Sequence, residues 1–139
     1  MRIKYFAGLL LTCLLCAGNV QAALSTFKTF NGKYAVSTDG WGSTTQTGTI
    51  RASVPAGATV AAAYLYTSTT GAITSAGGTL QGNPVTYTGL GLNSYMEAGR
   101  TEVTSIVAPI INGGPGGTYT FTITETDNAQ DGSALVVVY

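Results

Sequence analysis

The chain has 139 residues, two cysteines and no histidine, and its six basic and six acidic side chains give no net charge. Both cysteines and two of the basic residues lie within the first 22 residues, and the 117 residues that follow carry a net charge of −2. The composition of this longer part excludes a disulfide framework, a thiolate or imidazole metal site and the basic patch that nucleic-acid binding requires.

The first 22 residues have the pattern of a secretory signal peptide. Arg2 and Lys4 precede an apolar run, residues 6–17, and a short polar step leads to Ala22. We predict cleavage between Ala22 and Ala23, and therefore export. The apolar run is shorter than the ~20 residues that a spanning helix needs, and we expect no membrane span in the mature segment.

The residues after the leader are rich in Thr, Gly, Ala and Tyr, which favours strands over helices. Residues 23–36 predict two short strands joined by an Asn31-Gly32 turn. Asp39-Gly40, with Trp41 between glycines, predicts a break in regular structure over residues 37–43.

The central strand of the fold is predicted over residues 60–67, where a run of apolar and aromatic residues suits burial on both faces of a sheet. Residues 49–54 alternate between polar and apolar, and residues 55–58 resemble a turn. We therefore expect the two segments to form a β-hairpin.

The second half of the chain predicts a hairpin over residues 79–88, a crossover at residues 89–93 and a short helical turn at residues 103–107 that Pro109 ends soon after. Residues 118–126 alternate without fault, so that one face is core and the other carries five threonines. Residues 134–139 form an apolar run typical of a fully buried strand. Because the sequence stops within that run, we expect the domain to be truncated at its C-terminus.

These elements predict a signal peptide at residues 1–22 and an all-β domain at residues 23–139. We expect this domain to be an antiparallel β-sandwich that is incomplete at its C-terminus, and a jelly roll is one architecture that fits. The predicted core consists of alternating apolar residues from several strands: Ile50, Val54, Leu65, Val85, Phe121, Ile123, Leu135 and Val137.

Trp41 is the first candidate binding residue. An exposed indole beside flexible glycines stacks well on a sugar ring, whereas a buried one closes the end of a small core. If Trp41 is exposed, Tyr64, Tyr66 and Tyr95 are the candidates for further stacking platforms.

Chemistry beyond binding has few candidates. Asp127 and Asp131 lie in an acidic loop that suits either a calcium ion or a plain polar turn, and the loop lacks the closing Glu of an EF-hand. Without His or Cys, a glycosidase-like pair of Glu97 and Glu102 is the remaining catalytic route. We expect no enzyme activity and, calcium aside, no cofactor.

Five segments together resemble secreted bacterial surface proteins of the exosortase-sorted (PEP-CTERM) type: residues 38–43, 52–68, 87–93, 103–109 and 130–139. The resemblance implies export by a Gram-negative bacterium, C-terminal sorting in a longer parent chain, and association with exopolysaccharide, biofilm or floc matrix. The Pro-Glu-Pro motif, second apolar span and basic tail of that family are not in this sequence, and the resemblance carries no catalytic residues.

From the leader, the composition and this resemblance we expect a non-enzymatic protein that is secreted or held at the cell surface of a Gram-negative bacterium. Its expected partners are exopolysaccharide or other surface proteins, and not nucleic acid. The alternative is a carbohydrate-binding module that uses Trp41 and surface tyrosines, with or without calcium.

Overall fold

The computed structural model describes residues 26–42, 44–93 and 95–139. The chain divides into two units, residues 1–31 and 32–139. In the described part of the first unit, residues 26–31, the Lys28 ammonium lies 5.6 Å from the centre of the Phe30 ring. The predicted cleavage point, Ala22 and Ala23, lies outside the described residues.

The described part of the second unit contains nine strands and one α-helix. The strands are β1 (Val36–Trp41), β2 (Thr47–Val54), β3 (Ala62–Thr70), β4 (Gly77–Leu80), β5 (Asn83–Thr86), β6 (Thr88–Leu92), β7 (Met96–Glu102), β8 (Gly117–Glu125) and β9 (Gln130–Val138). The helix, α1, is Thr104–Ile111, and a 3-10 turn spans Ile73–Ser75. No described helix is long and apolar enough to cross a membrane.

Two antiparallel sheets face each other. The five-stranded sheet has the order β1-β9-β3-β7-β6, and the four-stranded sheet has the order β2-β8-β4-β5. The chain crosses repeatedly from one sheet to the other, and its first and last described strands are neighbours. This is the β-sandwich that the sequence predicts, with the strand order of a jelly roll.

Alternating residues of the two sheets form the core. Each of the eight predicted core residues is at most 6 % exposed, and the core also includes Val103, which precedes α1, and Val107 and Ile111 on the buried side of α1. As predicted, β3 lies in the middle of its sheet, between β9 and β7. The terminal apolar run is a central strand too, because β9 pairs with β1 on one edge and with β3 on the other.

The predicted hairpin of residues 49–54 and 60–67 was wrong. Strand β2 pairs with β8 in one sheet, and β3 lies in the opposite sheet. Ile50 and Leu65 therefore belong to opposite sheets, and both are fully buried in the core between them. The connection at residues 55–61 therefore carries the chain from one sheet to the other.

Three other local predictions were wrong. Residues 26–35 contain no strand. The first described strand begins at Val36, directly after Ala35, whose N–H donates to the Tyr139 carbonyl (2.7 Å). The predicted break around Trp41 is β1, paired with β9 along its length. The predicted crossover at residues 89–93 is largely strand β6.

The helical turn was predicted at the right place but too short. Strand β7 runs directly into α1, and Pro109 lies inside the helix rather than beyond its end. The helix continues to Ile111 because that side chain is buried in the core and the Asn112 N–H still donates to the Ala108 carbonyl (2.9 Å).

Candidate functional site

A shallow groove on the outer face of the five-stranded sheet brings three of the predicted site residues together. It has a volume of about 440 Å³, and its lining includes Trp41, Tyr66 and Asp131. We call it the Tyr66 groove.

The register of the sheet explains why this groove exists. Tyr66 of β3 lies opposite Ala134 of β9, and Ala134 lies opposite Gly40 of β1. Paired residues of antiparallel strands point to the same face, so two small residues adjoin the tyrosine and leave one side of its ring uncovered. On its other side Tyr66 lies opposite Arg100 of β7. The result is one half-buried aromatic ring beside open space.

Polar groups border the same groove. Ser68, two residues along β3 from Tyr66, donates from its hydroxyl to the Asp131 carbonyl (3.5 Å). Ser68 and Asp131 both line the groove. An aromatic ring with a few nearby hydrogen-bonding groups is the arrangement that small polar ligands with an apolar face require.

Trp41 borders the groove, but its indole packs toward the core. Its side chain is half-buried and contacts the core cluster, and its ring covers Gly48 of β2. Gly40 and Trp41 are successive residues of β1, so their side-chain positions face opposite sides of the sheet. The structure therefore favours the interpretation in which Trp41 closes one end of the core.

The other two predicted platforms lie elsewhere. Tyr64 shares the outer face with Tyr66, but it is only 4 % exposed. Tyr95, in the connection between β6 and β7, is 75 % exposed and is not part of the groove lining. The four aromatic residues do not form one platform. Tyr66 is the member whose ring has an uncovered side next to polar groups.

Near the same end of the sandwich, polar side chains occupy positions that alternation assigns to the core. Glu125 is 3 % exposed, and its Oε1 atom accepts a hydrogen bond from the Ser133 hydroxyl (2.7 Å). Burial raises the pKa of Glu125, and the Asp131 charge adds to this, while the Ser133 hydrogen bond opposes it. Burial also raises the pKa of Tyr87 to about 12, although a hydrogen bond to Ser133 lowers it.

Gln130 joins the two sheets beside this cluster. Its side-chain oxygen accepts from the backbone N–H groups of Gly77 and Asp127 (both 3.2 Å), and its side-chain nitrogen donates to the Thr67 hydroxyl (3.4 Å). Sequence reasoning missed Glu125 and Gln130. The signal for Glu125 was present, because it continues the inward series of residues 119, 121 and 123 on β8.

The predicted calcium residues border a second cavity, of about 340 Å³, which Glu125 also lines. The Asp127 carboxylate is already engaged: it accepts hydrogen bonds from the Ser75 hydroxyl and from the Ala129 N–H (2.8 Å), and these bonds lower its pKa. Among the described residues, no group of three or more acidic, histidine or cysteine side chains could hold a metal ion. The geometry favours a polar turn that Asp127 stabilises.

The carboxylates of Glu97 and Glu102 do not form a catalytic pair. Both belong to β7, and their separation of five residues places them on opposite faces of the strand. Glu97 accepts from the Ile73 N–H (2.8 Å), and Glu102 accepts from the Thr104 hydroxyl (3.0 Å).

The outer face of the four-stranded sheet carries a two-strand array of hydroxyl groups, which we call the hydroxyl face. Its members pair across β2 and β8 as Thr47 with Thr124, Thr49 with Thr122, Arg51 with Thr120 and Ser53 with Thr118. Neighbouring hydroxyls bond to one another at both ends, at 3.3 Å for the first pair and 2.9 Å for the last. On β4, Thr79 lies beside Thr124 and starts a third column.

Comparison with known proteins gives no assignment to set beside this geometry: no protein-family model, no curated protein and no solved structure matches the chain.

Proposed function

We propose that this protein is a non-enzymatic component of the bacterial cell surface or extracellular matrix, exported across the inner membrane of a Gram-negative cell, and that it associates with neutral polysaccharide. The observation that carries the proposal is the hydroxyl face. Seven of its eight paired positions on β2 and β8 are Thr or Ser, and Arg51 is the one charged residue among them. The sequence of the leader supports export.

The geometry of the hydroxyl face suits repeated weak contacts. Rows on neighbouring strands are about 4.8 Å apart, and successive outward residues along a strand are roughly 6.8 Å apart. Threonine is β-branched and has few rotamers, so little side-chain entropy is lost when a ligand orders it. Each hydroxyl both donates and accepts, as do the hydroxyls of a sugar polymer.

Two experiments test this proposal. The first expresses the full chain in a Gram-negative host and determines the N-terminus of the exported product, which we expect at Ala23. The second measures co-sedimentation with insoluble neutral polysaccharide for wild type and for the double variant Thr49→Val, Thr122→Val. Valine keeps the branched shape and removes the hydroxyl.

We expect the double variant to bind about tenfold more weakly, which corresponds to about 1.4 kcal/mol and to the loss of one or two net hydrogen bonds. Thr38→Val is the matched control, because Thr38 is an exposed strand threonine of the opposite sheet. Equal binding by all three proteins, or an uncleaved product that stays in the cytoplasm, would contradict the proposal.

A second candidate function is specific carbohydrate binding at the Tyr66 groove, and the open side of the Tyr66 ring favours it. The apolar face of a sugar ring would lie against Tyr66, while its hydroxyls bond to Ser68 and Asp131. Replacement of Tyr66 by Ala then removes binding of a soluble oligosaccharide, whereas Tyr95→Ala, which removes an exposed tyrosine outside the groove, leaves it unchanged. Isothermal titration calorimetry of both variants decides this: the same affinity in both excludes the groove.

A further inference from the structure

Exposed apolar side chains are concentrated at one edge of the five-stranded sheet, in β6 and in the residues that follow it. Leu90 and Leu92 of β6 are 46 % and 56 % exposed, and Tyr95 and Met96, which follow, are 75 % and 37 % exposed. We call these four residues the β6 apolar cluster. Apolar surface gathered on a sheet edge, rather than scattered singly, marks an interaction site.

The cluster belongs to an edge strand. In the described part of the chain, β6 pairs with β7 and no strand lies beyond it. All five of its residues, Thr-Gly-Leu-Gly-Leu, are exposed, and none is charged. Glu97, which follows Met96, directs its carboxylate to the Ile73 N–H. An uncharged edge with unpaired backbone groups is a template for another strand.

Both edges of the four-stranded sheet are protected, in contrast to β6. On β2, the N–H groups of Arg51 and Ser53 donate to the side chains of Asp39 (2.7 Å) and Ser37 (2.8 Å) from β1. On β5, Pro84 has no N–H to offer. In the five-stranded sheet, β1 lies against β2 through these same hydrogen bonds, so β6 is the edge of the described strands that is open to a partner.

We propose that two copies of this protein associate through β6, edge to edge and related by a two-fold axis, with the β6 apolar clusters packed together. A second copy fits this edge because β6 meets its own sequence: an uncharged strand places no like charges opposite each other, and the apolar side chains that follow it in one copy meet those of the other. Strand β1 offers only one large exposed apolar residue, Val36.

The register of β6 sets the size of the contact. One extra residue enters β6 between Gly89 and Leu92, and Gly91 has a φ of 116°. Such a bulge bends the strand and ends its regular pairing. Backbone pairing between copies is therefore confined to Thr88–Leu90, and the apolar cluster supplies the rest. A contact this small gives a dissociation constant in the roughly micromolar range.

Analytical ultracentrifugation of the exported protein, from about 1 μM to about 1 mM, tests the proposal across the concentrations at which such a dimer dissociates. We expect a reversible monomer–dimer equilibrium. Leu92→Lys places two like charges in the interface and weakens association at least about 100-fold. Val36→Lys is the matched control, because Val36 is also 56 % exposed and lies on the opposite edge of the same sheet; it leaves association unchanged.

Two further measurements keep the test decisive. If Leu92→Lys fails to fold, Met96→Ser, at the start of β7, is tested in its place, and we expect it to weaken the dimer. Hydrogen exchange locates the interface, because we expect the β6 amides to be protected at high protein concentration. A monomer at all concentrations overturns the proposal. So does dissociation by Val36→Lys, because that result would place the interface at β1 and not at β6.

Discussion

The packing of Trp41 against Gly48 gives the sharpest test of the structure. A Cβ atom added at Gly48 would lie 2.7 Å from Cζ2 of Trp41 and closer still to Nε1 and Cε2. Ordinary contacts between carbon atoms are ~3.5–4.0 Å, so Gly48→Ala must displace the indole by about 1 Å or more. Overpacking of this kind costs roughly 1–3 kcal/mol.

Part of that cost is offset, because replacing glycine restricts the unfolded chain and stabilises by ~0.4–1 kcal/mol. We expect a net loss of about 1–2 kcal/mol, seen as a urea midpoint lowered by roughly 0.5–1 M. Since Trp41 is the only tryptophan in the chain, its emission reports the displacement directly and shifts to the red.

The matched control is Gly42→Ala, because a Cβ atom at Gly42 meets no atom within 4 Å. We expect its stability within about 0.5 kcal/mol of wild type and its emission unchanged. If Gly48→Ala behaves like this control in both urea unfolding and emission, then Trp41 does not close the core in the way described.

Two further predictions concern buried polar groups. Burial raises the pKa of Glu125 in the folded state above its ordinary value of 4.5. At a pH between 4.5 and the folded-state pKa, the folded state keeps a proton that the unfolded state has lost. Wild-type stability therefore falls as the pH rises through that range. Glu125→Gln removes this slope, and urea midpoints from pH 4 to pH 8 check it; parallel curves for the two proteins would refute the reasoning. The Asn112 side-chain oxygen accepts the buried Val60 N–H (2.8 Å), so Asn112→Ala lowers the free energy of unfolding by about 1–3 kcal/mol, whereas an unchanged urea midpoint would show that this bond contributes nothing.

Sequence periodicity predicted the core because buried and exposed residues alternate along a strand in the same way whichever sheet the strand joins. The inward series Tyr119, Phe121 and Ile123 was correct along β8, and the apolar run of residues 134–139 was correctly assigned to a strand, although Ala134 on its outer face is exposed. The same alternation does not say which strand is the partner. Residues 55–58 resemble a hairpin turn, yet they begin a crossing between sheets, since the choice depends on packing against strands more than 60 residues away.

The candidate site was less accessible from sequence, for two physical reasons. The Tyr66 groove depends on Gly40 and Ala134 lying side by side, and that proximity arises only from the pairing of β1 with β9. The sequence pattern around Trp41, two glycines beside an indole, resembles an exposed loop, but Gly48 leaves room for the indole against the core. Aromatic residues could be chosen as candidates from the sequence, whereas their exposure could not.

One short segment of β9 connects the groove to the end of the core. Ala134 faces the Tyr66 groove, whereas its neighbour Ser133 faces inward, lies opposite Trp41 and donates to Glu125. A ligand that shifts this segment from outside therefore also changes the surroundings of the indole. It follows that a change in tryptophan emission on sugar binding is no proof that Trp41 stacks on the sugar. If the emission change disappears in Tyr66→Ala while iodide quenches Trp41 equally with and without ligand, the indole reports on the groove without contacting what binds there.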